Sequence, residues 1–105
     1  MFYQNIRTFM DINGKPHRTI WLHPKNNTVF QIIDQRYLPH RFVIADIATA
    51  KEGAIAIKEM WVRGAPLIGA TAGYSMYLAA LEASKSDDFE AYMESAAKIL
   101  LATRP

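Results

Sequence analysis

Apolar and polar positions change their period along this chain near Asp46. Upstream, Thr19-Ile20-Trp21-Leu22 and Thr28-Val29-Phe30-Gln31-Ile32-Ile33 are short runs rich in β-branched and aromatic residues, the composition of strands. Pro24-Lys25-Asn26-Asn27 lies between them and predicts a hairpin with a four-residue connection. Arg41-Phe42-Val43-Ile44, set off by Pro39, predicts a third strand. Before these runs, Phe2, Tyr3, Ile6, Phe9, Met10 and Ile12 are too apolar for a free tail, and some of them are expected to pack. Asn13-Gly14 signals a turn and Pro16 a break.

Downstream the period is helical. Thr49-Ala50-Lys51-Glu52 is a capping box, in which the threonine oxygen accepts an early N–H and the glutamate reaches back. The helix it opens is expected to run to Met60 or Trp61. Ala50, Ala54, Ile57 and Trp61 share one stripe, and Lys51, Glu52, Lys58 and Glu59 lie opposite, with Ile55 among the charges. Gly64 to Leu81 carries no charge. It is shorter than the ~20 apolar residues of a membrane span and is broken by Pro66, glycines and hydroxyls. It reads instead as a central helix covered on every side, with Gly69 and Gly73 four apart and available for close backbone approach. Asp87 with Glu90 offers a second capping box. Beyond it Phe89, Tyr92, Met93, Ala96, Ile99 and Leu100 form an apolar stripe, with Leu101 on the polar side. The architecture expected is α+β, in a single domain over 1–105. A small antiparallel sheet at about 18–44 precedes a bundle of helices at 49–61, 66–83 and 88–102.

Composition narrows the function. The chain has 105 residues, half of them hydrophobic, with a net charge of +2. That charge is too small to argue for nucleic acid or an anionic membrane. Cysteine is absent, which removes disulfides, thiolate metal sites and cysteine nucleophiles from this chain. His17, His23 and His40 each adjoin a proline, lack partners at metal-ligand spacing and are expected to face solvent. The N-terminal residues do not have the pattern of a signal peptide.

The stretch with chemical content is Trp61-Val62-Arg63-Gly64-Ala65-Pro66-Leu67-Ile68-Gly69. Pro66 suits the first helical position, where its missing N–H costs nothing. The N–H groups opening that helix lack intrahelical acceptors, and the helix dipole adds partial positive charge. Gly64 permits close approach, and Arg63 adds a planar fork matched to phosphate or carboxylate oxygens. These residues read as an anion cradle on a helix N-terminus, against the plainer alternative of an interhelical turn whose arginine points into water. Asp34 and Arg36 are two apart on an extended segment and share a face. A salt bridge pinning the loop to the sheet is the favoured reading of that pair.

Three stretches resemble the N-terminal domain of the methylthioribose-1-phosphate isomerase family: Arg18-Thr19-Ile20-Trp21, Ile33-Asp34-Gln35-Arg36-Tyr37-Leu38-Pro39 and Met60 to Gly69. Thr103-Arg104-Pro105 resembles the opening of a fourth family stretch that continues past the proline. The resemblance implies an aldose–ketose isomerase of methionine salvage, which converts 5-methylthioribose 1-phosphate to 5-methylthioribulose 1-phosphate with no metal or organic cofactor. It also implies a longer chain, whose Rossmann-like second domain carries the catalytic cysteine and aspartate. Neither has a counterpart here, so no catalytic residue is expected in this chain. What carries over is substrate holding by Arg63, Gly64, Ala65 and Arg104. The resemblance further implies a cytoplasmic homo-oligomer with a sugar phosphate as ligand. The same superfamily includes ribose 1,5-bisphosphate isomerases and regulatory subunits of the translation-initiation exchange factor. The alternatives are therefore a non-catalytic interaction domain and a self-associating stand-alone domain.

Overall fold

The computed structural model describes residues 9–12 and 15–103. Expectations about Phe2, Tyr3, Ile6, the Asn13-Gly14 turn and Arg104 lie outside those residues. Strands β1 (Phe9–Ile12) and β2 (Lys15–Arg18) pair antiparallel, with Phe9 opposite Arg18 and Ile12 opposite Lys15. Pro16, expected to mark a break, lies within β2. A two-stranded ribbon leaves an outer edge where a residue without an N–H is tolerated.

The main sheet has the order β3-β4-β5, built from Ile20–His23, Asn26–Ile33 and Ile44–Ile47, all antiparallel. The β3–β4 connection is Pro24-Lys25, shorter than the expected Pro24–Asn27, because Asn26 already pairs with His23. Asn26 Oδ1 accepts from the Thr28 N–H at 3.0 Å, which stiffens the start of β4. The third strand begins at Ile44, where Arg41–Ile44 was the expectation. Val43 C=O is taken by the Asp34 N–H at 2.8 Å, and the ladder starts only with Ile33 opposite Ile44. This register turns Ala45 and Ile47 to the same side as Ile32 and Phe30.

The helices are α1 (Ala50–Lys58), α2 (Ala65–Ala83) and α3 (Phe89–Leu101), so the α+β expectation holds. Thr49 caps α1, its oxygen accepting from the Glu52 N–H at 3.1 Å. Glu52 Oε1 closes the box one residue further back than expected, on the Ala48 N–H at 2.8 Å. The cap of α3 is Asp88 rather than Asp87, and its carboxylate accepts from the Ala91 N–H. Helix α1 stops at Lys58, short of Trp61. Met60 takes φ 60°, and the Trp61 and Met60 N–H groups turn back onto Ala56 C=O (2.8 Å) and Ile57 C=O (3.2 Å). That is a Schellman closure with methionine in the left-handed position glycine usually fills.

The core forms where α1 and α2 cover one sheet face, from Ile20, Phe30, Ile32, Ile47, Ala56, Ile57, Val62, Leu67 and Leu78. Tyr74 of α2 lies against Phe30, ring centroids 5.2 Å apart. Contrary to the expectation of a helix covered all round, α2 exposes Gly69, Gly73 and Tyr77 along one side. Among the described residues, a Cβ added at Gly69 or Gly73 meets nothing within 4 Å, so neither glycine serves close packing there. The glycine that does is Gly53 of α1, whose added Cβ would overlap Ser75 Oγ of α2 and come within 2.9 Å of Ser75 Cβ. Helix α3 is only partly covered: Ala96 is buried, Met93 and Leu100 are half-buried, and Phe89, Tyr92, Ile99 and Leu101 are exposed. None of the described helices is long and apolar enough to cross a membrane.

Candidate functional site

Helix α2 begins at Ala65 with Gly64 as its N-cap and Pro66 one position further in than expected. Gly64 adopts φ 88°, ψ 134°, a conformation that residues bearing a Cβ rarely take, and it offers no capping side chain. The first intrahelical bond runs from the Ile68 N–H to Gly64 C=O at 2.9 Å. The Ala65 and Leu67 N–H groups precede any intrahelical acceptor, and Pro66 has none to satisfy. Arg63, Gly64, Ala65 and Pro66 are all exposed. Among the described residues, Arg63 has neither an ion-pair nor a hydrogen-bond partner. Its neighbour Val62 is fully buried and anchors the loop in the core. The arrangement is thus a helix N-terminus without a side-chain cap, preceded by a guanidinium that has no partner among the described residues.

The structure brings the Asp34–Arg36 segment onto this same loop. Asp34 directly follows β4 and is 2 % exposed. Its carboxylate accepts from Arg36 Nε at 2.9 Å and from Arg36 Nη2 at 2.7 Å, and also from the Arg36 backbone N–H at 3.1 Å. That last bond caps a short 3-10 turn, Gln35–Tyr37. The salt bridge expected from the two-residue spacing is therefore present. It does more than pin the loop, because the Arg36 guanidinium lies over the Trp61 ring, 4.4 Å from its centroid. The Gln35 N–H donates to Trp61 C=O at 2.8 Å. Glu59 completes the group, accepting from Trp61 Nε1 at 3.3 Å and standing 4.0 Å from Arg36 Nη1. Burial pushes the Asp34 carboxyl up, but the hydrogen bonds and charge of Arg36 outweigh it, and the group is held below the ordinary carboxylate value. The Arg36 guanidinium is correspondingly raised, first by its hydrogen bond to Asp34.

The histidines divide. His40 is exposed as expected, whereas His23 is half-buried, and its Nδ1 accepts from the Lys25 N–H at 3.0 Å across the β3–β4 turn. The described residues contain no cluster of His, Cys, Asp and Glu able to hold a metal.

A cleft of about 760 Å³ lies at the opposite end of α1, between its first turn and α3, and Arg63 does not line it. Glu82 at its edge accepts from the Ala50 N–H at 3.0 Å and from the Tyr92 hydroxyl at 2.8 Å, joining α1, α2 and α3. The Tyr92 hydroxyl is pushed up by that hydrogen bond. No spacing rule exposes this link, since its partners are 32 and 10 residues apart.

No family model matches the chain. Curated proteins do, and they are enzymes that isomerise a sugar phosphate. Over 96 residues, 91 % of this chain, it is 54 % identical to the methylthioribose-1-phosphate isomerase of Paramagnetospirillum magneticum, of which it spans 25 %. It is 44 % identical over 85 residues to the isomerase of the same name from Desulfatibacillum aliphaticivorans, spanning 23 % of that protein. The crystal structure of 5-methylthioribose 1-phosphate isomerase from Pyrococcus horikoshii superposes with a TM-score of 0.70 at 40 % identity. That match covers 84 % of this chain and 24 % of the other. The resemblance to the methylthioribose-1-phosphate isomerase family therefore holds over nearly the whole chain, which spans about a quarter of the length of these relatives.

Proposed function

We propose that the chain is the substrate-holding N-terminal part of an aldose–ketose isomerase acting on 5-methylthioribose 1-phosphate. In this reading Arg63 and the Gly64 and Ala65 backbone bind the phosphate, with Arg104 completing the site, and the protein works in the cytoplasm. The observation that carries the reading is Arg63, without a partner among the described residues, beside the uncapped N-terminus of α2, in a chain up to 54 % identical to named isomerases of that compound. Moving hydrogen between adjacent carbons needs a positioned acid and base. The residues gathered here supply anion contacts, so the proton-transfer groups belong to the three quarters of the relatives that this chain does not match.

A titration of the 105-residue chain with inorganic phosphate, followed by amide shifts, tests the cradle. One guanidinium fork and a few N–H donors open to solvent predict a dissociation constant of about 1 mM or weaker. Arg63→Lys keeps charge but loses the fork and weakens binding several-fold, while Arg63→Ala abolishes it. Because Arg63 is exposed, its loss changes stability by less than about 1 kcal/mol. Flat shifts at Gly64, Ala65, Leu67 and Ile68 in the wild type refute the cradle. Isomerase turnover by this chain alone refutes the assignment of the chemistry elsewhere.

The proposal extends to self-association, since α3 leaves Phe89, Ile99 and Leu101 exposed, Leu101 by 76 %. Sedimentation at several hundred micromolar is expected to show dimers or larger species, and a clean monomer counts against it.

A further inference from the structure

We infer that the Asp34–Arg36 pair is a positioning device for the anion cradle, holding Trp61 so that Arg63 and the start of α2 are presented in one geometry. The inference rests on the phosphate-binding reading of Arg63 but concerns residues that need not touch the ligand.

The connection from α1 to α2 is held at separate points. Its entry is the left-handed Met60, a conformation that is costly for a residue with a side chain and so does not hold itself in place. Its exit is Gly64, which is free to take other backbone conformations. Between these weak points, Trp61 and Val62 are the anchors. Val62 is held by burial in the core. Trp61 is only half-buried, and its fixed position comes from the 3-10 turn that follows β4: the Gln35 N–H holds its carbonyl and Arg36 covers its ring. Arg36 would wander as an exposed side chain, but Asp34 grips it through both carboxylate oxygens. Asp34 itself is buried directly after β4, and its N–H is held by Val43 C=O at 2.8 Å. Rigidity thus passes from the sheet through Asp34 and Arg36 to Trp61, two residues before Arg63. Binding groups held in place in advance gain affinity, because less ordering remains to be done when the ligand arrives.

Asp34→Asn separates this role from simple electrostatics. Removing a negative charge near a cationic site strengthens phosphate binding, or leaves it unchanged, if only Coulomb attraction matters. If the pair positions Trp61, the same substitution weakens binding, because the amide cannot hold Arg36 in the fork. The experiment is an inorganic phosphate titration at constant ionic strength on the labelled chain, with amide hydrogen exchange measured on the same samples. Asp34→Asn and Arg36→Lys are expected to weaken phosphate binding about three- to tenfold and to speed exchange at the hydrogen-bonded amides of Gln35, Met60 and Trp61 about tenfold. Arg41→Met removes a surface charge that faces Tyr37, outside the pair, and is expected to change neither readout. Ala96→Gly, which loosens α3 at the other side of the bundle, controls for general loss of stability. Equal or tighter phosphate binding by Asp34→Asn with normal exchange overturns the inference. So does an equal loss of affinity in Ala96→Gly. If Asp34→Asn fails to fold, Arg36→Lys decides by the same criteria. If the wild type binds no phosphate, the cradle reading fails by itself. The positioning role then stands or falls on exchange: faster exchange confined to Gln35, Met60 and Trp61 supports it, and unchanged exchange overturns it.

Discussion

Asp34 shows how much one buried carboxylate has to do. It accepts four hydrogen bonds from three N–H groups of Arg36, and its pKa is held below the ordinary carboxylate value despite the opposing cost of burial. A group whose pKa is lowered by folding adds stability that is present above its unfolded value and is lost as pH falls through its folded value. Wild type is therefore expected to lose more stability than Asp34→Asn as pH drops from about 6 to below 4, so that their unfolding midpoints converge. Urea unfolding of both proteins across that range checks it, and a gap independent of pH contradicts it. Arg36 is partly exposed, so water screens the pair and keeps the effect modest. Its distinct contribution is geometric, through the face it lays on Trp61.

Among the elements, the contact between α1 and α2 is set by Gly53 and Ser75. Ser75 is fully buried and its hydroxyl has no partner among the described residues, an arrangement that costs stability. The space for that hydroxyl is created by the missing side chain at Gly53. Gly53→Ala drives a methyl into Ser75 and is expected to destabilise by about 2 kcal/mol or more, although alanine is the better helix former. Ser75→Ala removes an unsatisfied oxygen and is expected to be neutral or stabilising by about 1 kcal/mol. In the double variant part of the Gly53→Ala loss returns. Thermal melts of the three variants decide it, and full additivity contradicts direct contact.

On the scale of the whole molecule, three helices are tied at one end by Glu82, through the Ala50 N–H and the Tyr92 hydroxyl. Helix α3 fully buries only Ala96, with Met93 and Leu100 packed half-buried, so this polar tie supplements sparse apolar packing in its docking. Glu82→Ala is expected to cost about 1–3 kcal/mol and to loosen α3 before the sheet. Tyr92→Phe removes one of the two bonds and costs about 1 kcal/mol. Amide exchange that rises evenly across α3 and the sheet, with no preference for α3, contradicts this view. The anion cradle sits at the other end of α1, beyond Val62, and is expected to retain its phosphate response in Glu82→Ala.

Each secondary-structure type could be read locally, because hydrophobic period and caps are properties of a few consecutive residues. The Thr49 box, the three helices and the hairpin from Ile20 to Ile33 follow from that alone. So did the pairing of Asp34 with Arg36, only two residues apart, and the uncapped start of α2. Strand β5 was misplaced by three residues, because the sequence does not show that Asp34 takes Val43 C=O before the ladder begins. The role of the glycines was also misassigned: Gly69 and Gly73 have helical spacing, but only the way α1 crosses α2 makes Gly53 the one in contact. The sequence by itself determined the hairpin, the three helices, the pairing of Asp34 with Arg36 and the resemblance to a family. Tertiary structure alone decided that Arg36 lies on Trp61 and that Glu82 joins three helices. Those contacts depend on relative placement of distant segments, which the burial of a shared core fixes and no local pattern encodes.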